Sequence, residues 1–406
     1  MSVKTFYKAT NLIVLLVMLI LKSILIVKKK HDFPKIIFLS LTKNQINQNH
    51  NEDFLKFMRE DRFDFNLSAE IVLTEVRHLF PPKMSRDSSS LVLTRDLFLY
   101  LVLHHVKFKN FVIFYRELCS NLDSVSQKRF NVKSYKREVF DLSVWNLIVC
   151  DINMETFLIT TPSHMNNLPI IFKKDYKKIR KVMMWYSTNS VPINRIGEAK
   201  PDKWLNKDVV KHVSEHFVWN SSQALDLEKQ GIRNCKIVGS ILFYPRKISR
   251  VKERVVTYFD VTPLSKADTV YSEKSCISAL TDITDSINEL NEKFLTDFIL
   301  RVKPKRNYFK FHSRQYILKL KELQKAGKLE IADWSENLYS CVSRSTAVLS
   351  VPYSSPIEIG IELGVPGAYY FDGNSEWELN PETKSSPLFT SKSELKAWLE
   401  ANVFTA

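Results

Sequence analysis

Beyond residue 31, short apolar runs alternate with stretches whose apolar residues recur every three or four positions. A run buried on both faces suits a strand of a parallel sheet, and the recurring stripe suits a helix laid across it. The alternation therefore predicts an α/β chain with crossover helices. Strands are expected over 35–41, 70–74, 110–115, 146–150, 157–160, 181–186, 215–219 and 236–238, and helices over 51–60, 88–106 and 221–230. This first half reads as doubly wound but irregular, and its strand order does not follow from the pattern.

The second half is cleaner. A strand over 255–260 precedes Ile277, Leu280, Ile283, Ile287, Leu290 and Phe294, which stand at helical spacing. Then come a strand over 298–303, a helix over 313–326, a strand over 329–332, a short helix over 335–341 and a strand over 347–351. A helix opening at Pro356 and a strand over 368–371 complete the series. Such βαβ series form Rossmann-like sheets, which bind ligands beyond the carboxyl ends of their strands. Pro245 and a basic stretch interrupt the pattern near 240–250. The expected organisation is thus a leading segment over 1–31, a Rossmann-like half over 32–243, a second over 244–385 and a closing helix over 386–406.

The leading segment adds a membrane. Residues 12–27 are almost wholly apolar, broken only by Lys22 and Ser23 and followed by Lys28, Lys29 and Lys30. That is slightly short of the roughly 20 residues a spanning helix needs, but lysines at its ends can snorkel. No small-residue cleavage site follows, so the segment reads as an uncleaved single anchor, with a helix lying in the interface as the alternative. The lysine run after it is denser than Lys4 and Lys8 before it, which places the body on the cytoplasmic side. Asn66 and Asn220 open glycosylation sequons, but Asn220 falls between a predicted strand and helix, where a glycan is awkward.

Composition narrows the partners. With 406 residues, 45% of them hydrophobic, the chain can bury real cores, and its net charge of +15 favours anionic partners. The cations are spread in clusters such as Lys173, Lys174, Lys177, Lys178, Arg180 and Lys181, without zinc-finger spacing or an RNA-binding signature. A phospholipid surface and a nucleotide-activated substrate are therefore favoured, and nucleic acid is not. Five cysteines stand far apart with no CxxC spacing, which reads as reduced thiols and no metal clip.

The strongest local feature is Pro352-Tyr353-Ser354-Ser355-Pro356, which carries the chain from a buried strand into a helix. Ser354 or Ser355 suits the cap and Pro356 the first helical position, so free backbone N–H groups face one spot that can hold a phosphate. Ser355-x-x-Glu358 also reads as a capping box that stabilises the helix by itself. Lys303, Lys305 and Arg306 follow another strand of the same sheet, where they can meet a leaving phosphate or form a solvated loop. His312 is a phosphate ligand or acid if it points inward. Thr262, in Phe259-Asp260-Val261-Thr262-Pro263, can offer its hydroxyl to a donor, while Asp260 can hold the turn.

Taken in order, Trp185-Tyr186-Ser187-Thr188-Asn189, Val218-Trp219-Asn220, Val238-Gly239-Ser240, Phe259-Asp260-Val261-Thr262-Pro263 and Pro352-Tyr353-Ser354-Ser355 resemble the polysaccharide-biosynthesis proteins named for a Pro-Phe-Thr-Ser motif. That family is similar to GT-B glycosyltransferases. Tyr353 for Phe and Ser354 for Thr keep an aromatic ring and a hydroxyl. The resemblance spans about 185–372 and implies a GT-B-like fold of two Rossmann-like domains with parallel sheets. It places a nucleotide-sugar donor on the C-terminal domain and a glycan or glycolipid acceptor on the N-terminal one.

No Asp-x-Asp triad is present to hold a metal-bound diphosphate, and no cofactor is implied. The paired glutamates of many retaining GT-B enzymes are also missing, since Glu358 and Glu362 stand four apart. An inverting displacement needs one general base in the N-terminal half, for which His164 and Glu75 rank ahead of His78 and Asp151. The expected activity is a membrane-associated glycosyltransferase of surface polysaccharide biosynthesis. Its rivals are a sugar-nucleotide epimerase of the same fold and a non-enzymatic anchored module that binds polyanions.

Overall fold

The computed structural model describes residues 36–39, 71–74, 91–94, 155–159, 168, 172, 176, 178–185, 187–188, 194–195, 207–240, 253–263, 271–352, 354–372, 377–378 and 386–405. The chain is α/β with parallel sheets and divides into two compact units. The second unit holds 45–63, 184–205 and everything from 216 onward, and the first unit holds the rest.

In chain order the first strands are β1 (Ile36–Leu39), β2 (Ile71–Thr74), β3 (Leu91–Thr94), β4 (Thr156–Ile159), β5 (Arg180–Met184) and β6 (Asn194–Arg195). They are followed by helix α1 (Lys207–His212), β7 (Glu215–Val218), α2 (Ser221–Lys229) and β8 (Cys235–Ile237). One sheet runs in the order β1-β4-β5-β7-β8. The sequential order answers the question that the pattern left open. The pair β2 and β3 lies parallel and separate from it. Within the expected helix over 88–106, Leu91–Thr94 is a strand that registers residue for residue on Ile71–Thr74, and the rest of that span lies outside the described residues. The expected strands over 110–115 and 146–150, the helix over 51–60 and the apolar segment 12–27 lie outside the described residues. Among the described residues no helix is long and apolar enough to cross a membrane.

The second sheet follows the expected series closely. It is built from β9 (Val255–Phe259), α3 (Glu273–Phe294), β10 (Ile299–Lys303), α4 (Tyr308–Phe311), α5 (Arg314–Lys325), β11 (Leu329–Ile331), α6 (Leu338–Arg344) and β12 (Ala347–Ser350). It continues with α7 (Ser355–Leu363), β13 (Gly367–Tyr370), β14 (Trp377–Glu378), β15 (Leu388–Phe389) and α8 (Lys392–Leu399), which runs on into a π-helical turn at Glu400–Phe404. The short helix expected over 335–341 begins later because Asn337 caps it, its side-chain oxygen accepting the Ser340 N–H at 3.2 Å. β14 leaves the sheet to pair antiparallel with β6.

The six strands are all parallel, in the order β11-β10-β9-β12-β13-β15. The chain enters at the centre with β9, steps outward to β11, then crosses back to lay β12, β13 and β15 on the other side. This reversal opens a crevice beyond the carboxyl ends of β9 and β12, where open α/β sheets take ligands. One face of the sheet packs Val256, Tyr258, Leu300, Val302 and Leu349 against α3, α5 and α8 in a continuous buried core. The other face carries α6 and α7, with Thr257 Oγ1 2.6 Å from Ser345 Oγ. Burial on both faces explains why the central strands β9 and β12 read as nearly unbroken apolar runs.

Candidate functional site

Three carboxyl ends meet at one level, because Phe259 of β9 registers with Lys303 of β10 on one side and with Ser350 of β12 on the other. Asp260, the next residue, is buried there and divides its carboxylate between two donors. Oδ1 accepts the Lys305 backbone N–H at 2.8 Å, and Oδ2 lies 2.9 Å from Nε2 of a fully buried His312. One carboxylate thereby ties the loop after β10, and the short helix α4 that follows it, to the end of the central strand. Burial pushes the Asp260 carboxyl above its ordinary range, and the His312 ring and Lys305 N–H pull it part of the way back. Ser313 N–H donates to Pro263 O at 2.9 Å and closes the same loop from its far end.

On the β12 side, Ser350 Oγ donates to Phe259 O at 2.9 Å and also meets Ser354 Oγ. Ser354 is the cap residue of α7, but its hydroxyl is turned back to Val351 O at 3.1 Å, and the helix has no side-chain cap. The expected capping box does not form. Ser355 is the first helical residue instead of the cap, and the Glu358 carboxylate accepts Asn220 Nδ2–H at 2.8 Å, with the Tyr369 hydroxyl 3.4 Å from its other oxygen. The first turn therefore begins without a side-chain cap, and Pro356 within it supplies no N–H; an uncapped helix start of this kind can receive an anion. α7 can sit this close to β12 because residue 360 is glycine. A Cβ there would stand 2.9 Å from Val348 Cγ2 and 3.1 Å from Val365 O.

The basic loop divides by role. Lys303, expected to meet phosphate, is buried with its ammonium on Trp334 O at 2.9 Å and near Pro304 O, and burial lowers its pKa. Glu358, also expected at the donor, is buried and bonded to Asn220 beneath the start of α7. His312 points inward as expected, but its Nε2 is committed to Asp260. Lys305 and Arg306 are exposed on the loop after β10. Two buried polar atoms, Thr262 Oγ1 and His312 Nδ1, have no hydrogen-bond partner among the described residues. His164 and Glu75 lie outside the described residues. No group of three or more His, Cys, Asp or Glu among the described residues could hold a metal ion.

The motifs near 185 and 219 build one polar lattice. Trp185 Nε1–H donates to His216 Nδ1 at 3.1 Å, and Trp219 Nε1–H donates to Trp185 O at 2.6 Å. Gln223 spans Trp219 N–H and Ser187 O, both at 2.9 Å. Asn220 caps α2 through Oδ1, which accepts Gln223 N–H, while its Nδ2 serves Glu358. A glycan on that nitrogen would break the contact. Burial drives the His216 pKa down to about 3, so its ring is neutral and accepts the indole proton. The thiols of Cys235, Cys276 and Cys341 are all free.

These motifs fall within one stretch that the family model for polysaccharide biosynthesis PFTS motif proteins matches, residues 129–399. The chain belongs to that family. The match extends past the expected 185–372 in both directions, and it includes 352–355, the residues that resemble the PFTS motif and lead from β12 into α7. No curated protein sequence matches the chain. Among solved structures it is similar to the UDP-GlcNAc 2-epimerase from Methanocaldococcus jannaschii, with 12% identity over 91% of this chain and 92% of that one and a TM-score of 0.47. It is also similar to the wall teichoic acid polymerase TagF, with 13% identity over 98% and 88% and a TM-score of 0.43. A third is TarM, with 11% identity over 61% and 47% and a TM-score of 0.35.

Proposed function

We propose that this PFTS motif protein is a GT-B-like glycosyltransferase of polysaccharide biosynthesis that takes its sugar from a nucleotide-sugar donor. The observation that carries the reading is the PFTS turn itself. It stands at the switch point of a parallel sheet and opens a helix whose first N–H groups no side chain caps. In this reading the first turn of α7, from Ser354 and Ser355 onward, binds the donor diphosphate. Lys305 and Arg306 neutralise the charge that develops as the nucleotide leaves. Asp260 and His312 position the loop that carries those cations, and Thr262 offers its hydroxyl to the donor.

The reaction proposed is a direct, inverting displacement that needs no metal. The acceptor is a membrane-associated glycan or glycolipid, deprotonated by a base from the N-terminal half, with His164 and Glu75 as first choices. Residues 12–27 anchor the chain, with the body on the cytoplasmic side. A thermal-shift screen of the full chain against CMP-, UDP-, GDP- and TDP-sugars tests the donor assignment. One nucleotide class raises the melting temperature, because a ligand bound only by the folded state stabilises it. Absence of any shift across the four classes at millimolar concentration would sink the reading.

A further inference from the structure

The corner formed by α4 and α5 has a surface that the donor site does not account for. None of the four residues of α4 is buried, so this turn exists for something other than packing a core. Phe309 is 62% exposed and Phe311 42%, and Leu318 on the following helix is 57% exposed. Cations surround them. Lys310 Nζ lies 5.4 Å from the Phe311 ring centroid, and Lys321 Nζ lies 4.9 Å from that of Phe309. Arg314 and Leu318 border a shallow cavity of about 520 Å³. From 310 to 328 the chain carries five lysines and one arginine against a single carboxylate, Glu322, which Lys319 holds at 2.9 Å.

We propose that this corner is a docking foot for an anionic bilayer surface. Protruding phenyl rings ringed by cations match the two layers of such a surface. The rings enter the boundary between headgroups and acyl chains, and the ammonium and guanidinium groups remain at the phosphates. A soluble polyanion would satisfy the cations and leave Phe309, Phe311 and Leu318 in water, so charge and apolar exposure together select the bilayer. Each basic residue at an anionic surface contributes about fivefold in binding, and reversing two of them removes at least tenfold. The foot lies on the loop that Asp260 ties to the site, so docking would fix the height of Lys305 and Arg306 above the lipid.

The test places a reporter in the foot of the full chain, so that the apolar N-terminal segment contributes equally to every sample. Phe309→Trp is reconstituted in nanodiscs of phosphatidylcholine alone or of equal phosphatidylcholine and phosphatidylglycerol, each with brominated acyl chains. The parent chain is measured beside it to subtract the native tryptophans. The expected result is quenching of the added indole in anionic discs and its loss when Lys310→Glu and Arg314→Glu are introduced, with the melting temperature unchanged. Equal fluorescence in both disc types, or quenching that survives the charge reversals, overturns the proposal. If soluble polyphosphate displaces the anionic lipid completely and protects the indole, the patch is a polyanion site and the bilayer assignment fails.

Discussion

Replacing Asp260 with alanine tests the structural centre of the site. The carboxylate serves two donors, the part-buried Lys305 N–H at 2.8 Å and the buried His312 ring at 2.9 Å. Alanine strands both, and each unsatisfied buried donor costs about 1–3 kcal/mol, against which the variant recovers the expense of burying a carboxylate, leaving a net loss of about 2–4 kcal/mol. Asparagine keeps an oxygen for the Lys305 N–H and presents a nitrogen to His312, whose ring can turn its lone pair to it by moving its proton to Nδ1. Asp260→Asn is therefore expected to lose only about 1 kcal/mol. Urea unfolding of the detergent-solubilised chain, followed by tryptophan fluorescence, measures both. The same variants should lose donor binding in the same order, because the released loop carries Lys305 and Arg306. If Asp260→Ala unfolds within about 0.5 kcal/mol of the parent, the carboxylate does not hold the loop and the reasoning is refuted.

Three other outcomes follow from single positions. Gly360→Ala should destabilise by about 1 kcal/mol, since crowding Val348 and Val365 costs more than the gain in helix propensity, and a calorimetric melt shows it. Leu295 ends α3 in the left-handed region at φ 51° with its side chain 93% exposed, so Leu295→Gly should stabilise by about 1 kcal/mol in the same melt. His216 has a folded pKa of about 3 against 6.5 for an unburied ring, so its contribution is complete above about pH 6.5 and is lost as pH falls towards 3. Between pH 6.5 and 5 the parent should lose about 1.5 kcal/mol more in urea titrations than His216→Gln, whose amide oxygen can still accept the Trp185 indole; parallel losses would contradict a buried neutral ring.

Much of the second sheet could be read from the chain because its central strands β9 and β12 are covered on both faces, which writes burial as a nearly unbroken apolar run. The same signal misleads at Leu91–Thr94, where a run of four residues fits a helical stripe as well as a strand, and only pairing with Ile71–Thr74 decides. At the site, the turn from β12 into α7 was legible through Pro356 and the serines. The role of Glu358 was not, because its partner Asn220 is 138 positions away and the local spacing with Ser355 imitates a capping box. Asp260 and His312 were each visible as candidates, but a pair 52 residues apart leaves no local trace. Lys303 shows the limit of counting charges. Its neighbours at 305 and 306 are exposed, while the Trp334 carbonyl claims its ammonium, and only the sheet's geometry separates the three.

The most direct measurement is calorimetric titration of Ser355→Asp with the nucleotide sugar that stabilises the parent. A carboxylate at the first residue of α7 occupies the place proposed for donor phosphate, and it also complements the helix dipole, adding about 0.3–1 kcal/mol of stability. A donor Kd weakened at least tenfold, in a variant that melts no lower than the parent, is the expected result. Unchanged affinity in that stably folded variant would contradict donor binding at the PFTS turn.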